Sequence, residues 1–67
     1  MTAGDMIKVC RLHKGYTQRQ LADKAGITIN MLGEYERNHH EPKFETVVWL
    51  LGACGFELKL AKKGKTR

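Results

Sequence analysis

The 67-residue sequence has few of the features that define secreted, membrane or metal-binding proteins. Its two cysteines, Cys10 and Cys54, are too few for the disulfide framework of a small secreted domain, and we expect both to be reduced and buried. No apolar run approaches the roughly 18 residues of a membrane span, and the first residues lack the order of a signal peptide. There is no glycine-rich phosphate loop and no histidine or cysteine pair at zinc-ligand spacing. These absences predict a cytoplasmic protein without metal or cofactor.

The chain is also short of the length that an enclosed active site requires, and we expect no enzyme. A domain of this size buries only about 60% of the surface that its unfolded chain exposes. Its core is therefore marginal, and a partner subunit is one common way to stabilise such a domain. The length predicts a single domain whose core needs help from a partner subunit, a metal or disulfides.

The positive charge is concentrated at one end of the sequence. The formal net charge is +5, and residues 59–67 include five basic side chains and no acidic one. Residues 1–58 are therefore balanced, so net charge alone does not indicate a nucleic-acid-binding domain. The basic segment has two interpretations: a solvated end that aids solubility, or a non-specific contact to phosphates.

Glycine and proline divide the rest of the chain into short blocks. Gly15, Gly26 and Gly55 each follow a segment with apolar residues at helical spacing, and Pro42 lies in the interval before the last of these segments. The sequence thus predicts an all-α fold. The four predicted helices are Thr2–Lys14, Gln18–Ala25, Thr28–Arg37 and Phe44–Cys54.

Threonines mark the starts of the first three predicted helices. Thr2 with Asp5, and Thr17 with Gln20, have the spacing of a capping box, and Thr28 can cap the third helix. The turn between the second and third helices is then very short, so it allows little freedom in their crossing.

The third predicted helix has two different faces. Winding it at about 100° per residue puts Leu32 and Tyr35 on an apolar face for the core. The opposite face consists of Asn30, Gly33, Glu34 and Arg37, with Ile29 at its edge. This polar face is available for a ligand.

The fourth predicted helix is more apolar than one small core requires. Its predicted buried residues are Phe44, Val47, Val48, Leu51 and Cys54. Trp49 and Leu50 widen this face, and Phe56–Leu60 then alternates in the pattern of a β-strand. Since nothing else in the sequence has a strand pattern, a strand here would pair with a second copy of the chain.

Residues 7–55 resemble the lambda-repressor/Cro (XRE) helix-turn-helix family. In the helix-turn-helix motif, Ala22 is the small residue, Gly26 is the turn residue and Leu32 is the apolar residue. The other matching positions are Ile7, Arg11, Thr17, Gln18, Leu21, Ile27 and Glu36. The resemblance implies a lambda repressor-like four-helix domain over residues 1–55 that binds double-stranded DNA through its third helix.

The resemblance also implies which residues contact DNA. These are Thr17, Gln18, Arg19, Thr28, Ile29, Asn30, Gly33, Glu34, Arg37, Asn38 and Lys43. Asn30 can be bidentate to adenine and Ile29 can pack on a thymine methyl group. Glu34 can accept from cytosine or pair with Arg37, and Asn30 and Glu34 could instead be solvated polar residues. Gly33 either allows close approach to DNA or reflects tolerated variation. In the loop after the third helix, Arg37, Asn38 and Lys43 would clamp the DNA backbone.

Two further positions have a structural role in the family. The resemblance implies a partly buried ion pair between Arg11 and Glu36, which joins the first helix to the end of the third. Its role would be to orient the third helix and not to contact bases.

The end of the sequence departs from the family. In place of the usual fifth helix it has the alternating segment 56–61 and the basic segment 62–67. The alternating segment is similar to that of HipB-like antitoxins, which dimerise partly through a strand shared between subunits. The implied dimer-interface residues are Trp49, Leu50, Phe56, Leu58 and Leu60.

The sequence therefore predicts a dimeric, cytoplasmic regulator, a repressor that binds an inverted repeat in double-stranded DNA. One alternative is an antitoxin that neutralises a partner toxin and autoregulates its operon, for which an exposed apolar surface at Trp49 or Leu50 would be evidence. A second alternative is an interaction module that has lost DNA binding, which the balanced charge of residues 1–58 leaves open.

Overall fold

A computed structural model of the protein describes residues 1–57, which form four α-helices. The helices are α1 (Ala3–Lys14), α2 (Gln18–Ala25), α3 (Ile29–Glu36) and α4 (Phe44–Ala53). Each end lies within one residue of its predicted position. The predicted all-α class is confirmed. Of the predicted strand, Phe56 and Glu57 are not in a strand, and its remaining residues lie outside the described part of the chain.

Side chains cap the first three helices as predicted. The hydroxyl of Thr2 accepts from the backbone N–H of Asp5 at 3.0 Å, and the hydroxyl of Thr17 accepts from that of Gln20 at 3.1 Å. In both cases the residue at the third helical position reaches back to the N-cap, which completes a capping box. The hydroxyl of Thr28 likewise caps α3 by accepting from the backbone N–H of Met31, but the side chain of Met31 makes no bond back to Thr28. These local bonds explain why the sequence predicts the starts of these helices so closely.

The turn between α2 and α3 depends on Gly26. This residue has a φ of +73°, a backbone conformation that L side chains rarely adopt, and its N–H and that of Ile27 bond back to α2. Thr28 follows at once as the N-cap of α3. The two helices are therefore joined by a turn with little freedom, which fixes the direction in which α3 leaves the core.

The core lies where the four helices meet. Its buried apolar residues are Ile7, Cys10, Leu21, Ala22, Ala25, Leu32, Val47, Leu50, Leu51 and Cys54. Both cysteines are free thiols, and burial raises the pKa of each. They pack as small hydrophobic side chains, as predicted.

The predicted buried face of α4 is partly wrong. Val47, Leu51 and Cys54 are buried, but Phe44 is 53% exposed and Val48 lies at the surface as well. Leu50, predicted at the dimer interface, is 0% exposed because it fills the core of its own chain. The helix is rotated from the predicted orientation, and its outer face remains apolar.

The N-terminus of α1 packs closely against the C-terminus of α3. Gly4 is buried there, and a Cβ on it would overlap the carbonyl oxygen of Tyr35 and lie 2.6 Å from Oδ1 of Asn38. The Thr2 hydroxyl donates to that same Oδ1 at 2.6 Å, and the amide of Asn38 donates to the carboxylate of Asp5 at 3.3 Å. The bond from the backbone N–H of Thr2, followed by this amide bond, lowers the pKa of Asp5. The α2–α3 turn therefore holds the start of α3, and this junction with α1 holds its end.

Residues 1–57 also lack two features of other protein classes. No helix in this range is long and apolar enough to cross a membrane. Nor do its histidines, cysteines and acidic residues form a group of three that could hold a metal ion.

Candidate nucleic-acid interface

The ion pair that the resemblance implies is present at the base of α3. Arg11 donates from Nε to Oε2 of Glu36 at 2.7 Å and from Nη2 to Oε1 at 3.0 Å. The side chains are only 10% and 4% exposed. The remaining arm of the guanidinium, Nη1, donates to the carbonyl oxygen of Tyr16 at 2.8 Å. Arg11 therefore ties α1, the α1–α2 turn and the end of α3 into one unit.

Gln18, predicted to contact DNA, is also part of this unit. Its Nε2 donates to Oε1 of Glu36 at 3.1 Å, and its side chain is half-buried. The sequence does not indicate this contact, because it joins residues from two helices that only the tertiary fold brings together.

The first turn of α3 presents two of the predicted base-contacting side chains. Ile29 and Asn30 are exposed, whereas Leu32 on the opposite face is fully buried. Thr28 precedes them, and its hydroxyl is occupied as the helix cap. The polar and apolar faces of α3 thus lie as the sequence predicts, and the outer face is free of contacts from the core.

Further along the same face, Glu34 lies between Arg37 and His39. Its Oε2 accepts from Nη2 of Arg37 at 2.8 Å, and its Oε1 lies 3.7 Å from Nδ1 of His39. Of the three interpretations of Glu34, the structure contains the pairing with Arg37. The carboxylate is therefore partly neutralised at a face where phosphates would repel it.

Gly33 lies beneath this ion pair. It is buried although it faces outward, and a Cβ built on it would lie 3.0 Å from Nη1 of Arg37. The other two nearest atoms are also in that guanidinium, each at 3.7 Å. The absence of a side chain at Gly33 thus makes room for Arg37 to lie across α3.

The remaining residues predicted to contact DNA lie around this face. They differ in whether their side chains are already used in hydrogen bonds within the domain. Thr17, Arg19 and Lys43 are exposed, the first as the cap of α2 and the last as the N-cap of α4. Asn38, with a φ of +62°, uses its amide group on α1. The Asn38 side chain is thus bonded within the domain, and its contact with the DNA backbone stays a prediction.

A separate apolar groove lies on the outer face of α4. Phe44, Val48 and Trp49 line it with Lys24 from α2, and its volume is about 600 Å³. Trp49 is 63% exposed, yet its Nε1 donates to the carbonyl oxygen of Ala25 at 2.7 Å. This bond anchors α4 to the end of α2, a contact that sequence patterning does not indicate. Phe56, also predicted at a dimer interface, is exposed and packs edge-on against His13 with ring centroids 5.5 Å apart.

Comparison with known proteins places this architecture in a family. The helix-turn-helix family model matches residues 7–62. The chain is 38% identical over 61 residues to YonR, an SPbeta prophage-derived uncharacterized HTH-type transcriptional regulator of Bacillus subtilis (strain 168), covering 91% of this chain and 56% of that protein. It is 36% identical over 58 residues to the immunity repressor protein of Bacillus phage phi105, covering 87% of this chain and 40% of the repressor.

A third relative has a similar name. The HTH-type transcriptional regulator ImmR of Bacillus subtilis (strain 168) is 38% identical over 50 residues, covering 75% of this chain and 39% of ImmR. The chain thus spans about half or less of the length of these curated relatives. No solved structure matches it. The relatives are named as regulators and repressors, and none of the three names describes an enzyme. The chain belongs to the XRE, or lambda-repressor-like, family of helix-turn-helix proteins.

Proposed function

We propose that this chain binds a specific sequence of double-stranded DNA as a transcriptional repressor and acts as a dimer on an inverted repeat. The observation that supports this most strongly is the outer face of α3. It carries Asn30 and Ile29 in its first turn and is joined to the rest of the domain by the Arg11–Glu36 ion pair. A face that is both exposed and rigidly held suits insertion into a major groove.

Occupation of a promoter would be the mechanism. Two copies related by a two-fold axis would put their α3 helices about 34 Å apart, one turn of DNA, so their half-sites would form an inverted repeat. The phage relative is named as an immunity repressor and the prophage relative as a transcriptional regulator, which supports this proposal. A protein that acts on promoters in a bacterial or phage setting would work in the cytoplasm.

Replacing Asn30 with alanine tests the base contact. Because a bidentate amide contact discriminates between bases, we expect the change to cost about 1–3 kcal/mol of binding free energy on the preferred sequence. The preference should relax at one base pair of each half-site. Fluorescence anisotropy with matched duplexes at fixed salt measures both. An equal loss on every duplex would contradict a base contact, whereas Lys43→Ala serves as the control that should weaken all duplexes alike.

The duplexes for this measurement come from a selection experiment. Purified protein is mixed with random-sequence duplex DNA at a fixed, near-physiological salt concentration, since phosphate contacts make affinity strongly salt-dependent. Enrichment of an inverted repeat would support the proposal. Failure of folded protein to enrich any sequence would refute it.

The apolar groove on α4 supports the dimer. A contiguous exposed apolar surface normally marks an interaction site, and the outer face of α4 exposes Phe44, Val48 and Trp49 to solvent. We assign this face to a second copy of the chain, since a domain this small gains most from assembly.

A matched pair of substitutions tests this assignment. Val48→Glu puts a charge in the groove and should raise the dimer dissociation constant at least about tenfold in sedimentation equilibrium. Val9→Glu is the control, because Val9 is an exposed apolar residue of α1 outside the groove. Equal dissociation constants for the two variants would remove the groove from the dimer interface.

The same groove also favours a second candidate function. An antitoxin must present an apolar surface to its toxin, and this surface is open and nearly uncharged, with Lys24 and Glu45 at its margin. In that case Val48→Glu would leave the oligomeric state unchanged but abolish capture of a partner protein encoded beside this one.

A further inference from the structure

The guanidinium of Arg37 lies nearer to the first turn of α3 than its own sequence position suggests. Arg37 is the C-cap of α3 and keeps near-helical backbone angles, with φ −87° and ψ 0°. Helical side chains lean toward the N-terminus and cover the turn before their own Cα. The Arg37 side chain accordingly lies back over Gly33, one turn closer to Asn30.

Two neighbours fix the guanidinium in this place. Gly33 provides the room, since even a Cβ there would approach Nη1 to 3.0 Å. Glu34 provides the tether, through the 2.8 Å bond from Nη2 to Oε2. The side chain of Arg37 is still 55% exposed, so Gly33 and Glu34 position the group without burying it.

The guanidinium of Arg37 keeps the hydrogen-bond donors that a guanine requires. Only one N–H of Nη2 is used by Glu34, and within residues 1–57 Nη1 and Nε make no hydrogen bond. Two adjacent N–H groups therefore remain on a planar, permanently charged group. Bidentate contact from arginine to O6 and N7 of guanine is the commonest specific contact in the major groove.

We propose that Arg37 contacts a guanine in the major groove, its guanidinium positioned over Gly33 by Glu34. This inference rests on the proposed function and names part of the sequence that α3 recognises: a guanine beside the base that Asn30 contacts. Glu34 is then a positioning residue that contacts no base. A carboxylate on a DNA-binding face is explained by its pairing with Arg37, and His39 on its other side adds a second cation when protonated.

The test uses the duplex enriched by the unmodified protein and replaces its guanines one at a time by 7-deazaguanine. This analogue keeps the base pair but lacks the N7 acceptor. We expect one position in each half-site to lose affinity several-fold for the natural protein. The same replacement should change nothing for Arg37→Lys, because a lysine lacks the planar fork.

Two other variants separate positioning from contact. Gly33→Ala and Glu34→Gln should each lower discrimination at that same guanine about tenfold, without altering the preference at the Asn30 position. Arg37→Lys should do the same, while circular dichroism should show that all three variants remain folded, since the pair they alter is at the surface. Should any of them fail to fold, the 7-deazaguanine scan with the natural protein decides alone.

The possible outcomes are distinct. Loss of affinity confined to one guanine supports the inference. A phosphate contact predicts a different result: Arg37→Lys and Lys43→Ala would weaken all duplexes alike, and no single 7-deazaguanine would matter, which would overturn the inference while leaving the proposed function intact. If the natural protein enriches no sequence at all, the proposed function itself fails, and the inference with it.

Discussion

Replacing Arg11 with alanine is expected to lower the free energy of unfolding by about 3–5 kcal/mol, because it leaves Glu36 as an unpaired charge in a buried position. Glu36 is 8% exposed as a residue, and its remaining partner would be the neutral amide of Gln18. The carbonyl of Tyr16 would also lose its donor. Urea denaturation followed by circular dichroism measures the change.

The control for this prediction restores the balance of charge. The double variant Arg11→Met with Glu36→Leu removes both charges and should recover most of the lost stability, since a buried ion pair is often no better than apolar residues of similar size. A single-variant loss below about 1 kcal/mol would show that the pair behaves as a surface ion pair. The double variant should nevertheless bind DNA less well, since Gln18 loses its partner on α3 and the amide is no longer held in place.

Replacing Gly4 with alanine is expected to lower the free energy of unfolding by about 3 kcal/mol, the upper part of the range for overpacking. The added Cβ would overlap a backbone carbonyl oxygen, that of Tyr35, which cannot move aside as a flexible side chain can. Relief requires α1 and α3 to separate, and the hydrogen bonds of Asn38 to Thr2 and Asp5 would weaken as a result. Urea denaturation again gives the value.

Gly52→Ala is the matched control for this substitution. Gly52 is also in a helix, α4, but a Cβ there would meet nothing within 4 Å. The change should therefore raise the free energy of unfolding by about 0.5–1 kcal/mol through helix propensity. Effects of the same sign at Gly4 and Gly52 would contradict the close packing of α1 on α3.

The parts of the fold that the sequence predicts are those governed by local chemistry. The threonine caps at Thr2, Thr17 and Thr28 need only the next three residues, and the turn at Gly26 needs only its freedom to adopt a positive φ. The two faces of α3 follow in the same way, because its polar and apolar residues separate cleanly around the helix axis.

The orientation of α4 could not be predicted by the same reasoning. Its residues are apolar around most of the helix, so the pattern contains no polar face to identify the outside. The pattern therefore predicts Val48 in the core and Leu50 on a dimer surface, whereas the structure exposes the first and buries the second. Packing of the whole chain decides which of two equally apolar faces is covered.

The candidate site likewise contains some contacts that the sequence predicts and others that it does not. The Arg11–Glu36 pair follows from the family resemblance, and the i, i+3 spacing of Glu34 and Arg37 allows their pairing. The contact of Gln18 with Glu36, the use of Asn38 on α1 and the anchoring of Trp49 to Ala25 all join residues far apart in sequence. Single-sequence patterns contain no information on such contacts, which depend on how the helices cross.

The measurement that tests the central claim most directly is an NMR titration of the ¹⁵N-labelled protein with its selected duplex, against a scrambled duplex of the same composition. The account predicts that the largest sequence-dependent shifts occur at the side-chain amides of Gln18 and Asn30 and at the backbone amides of α3. The outer face of α4 should respond equally little to both duplexes. Large shifts at Phe44, Val48 and Trp49 with none on α3, or identical shifts with the two duplexes, would contradict recognition of DNA through α3.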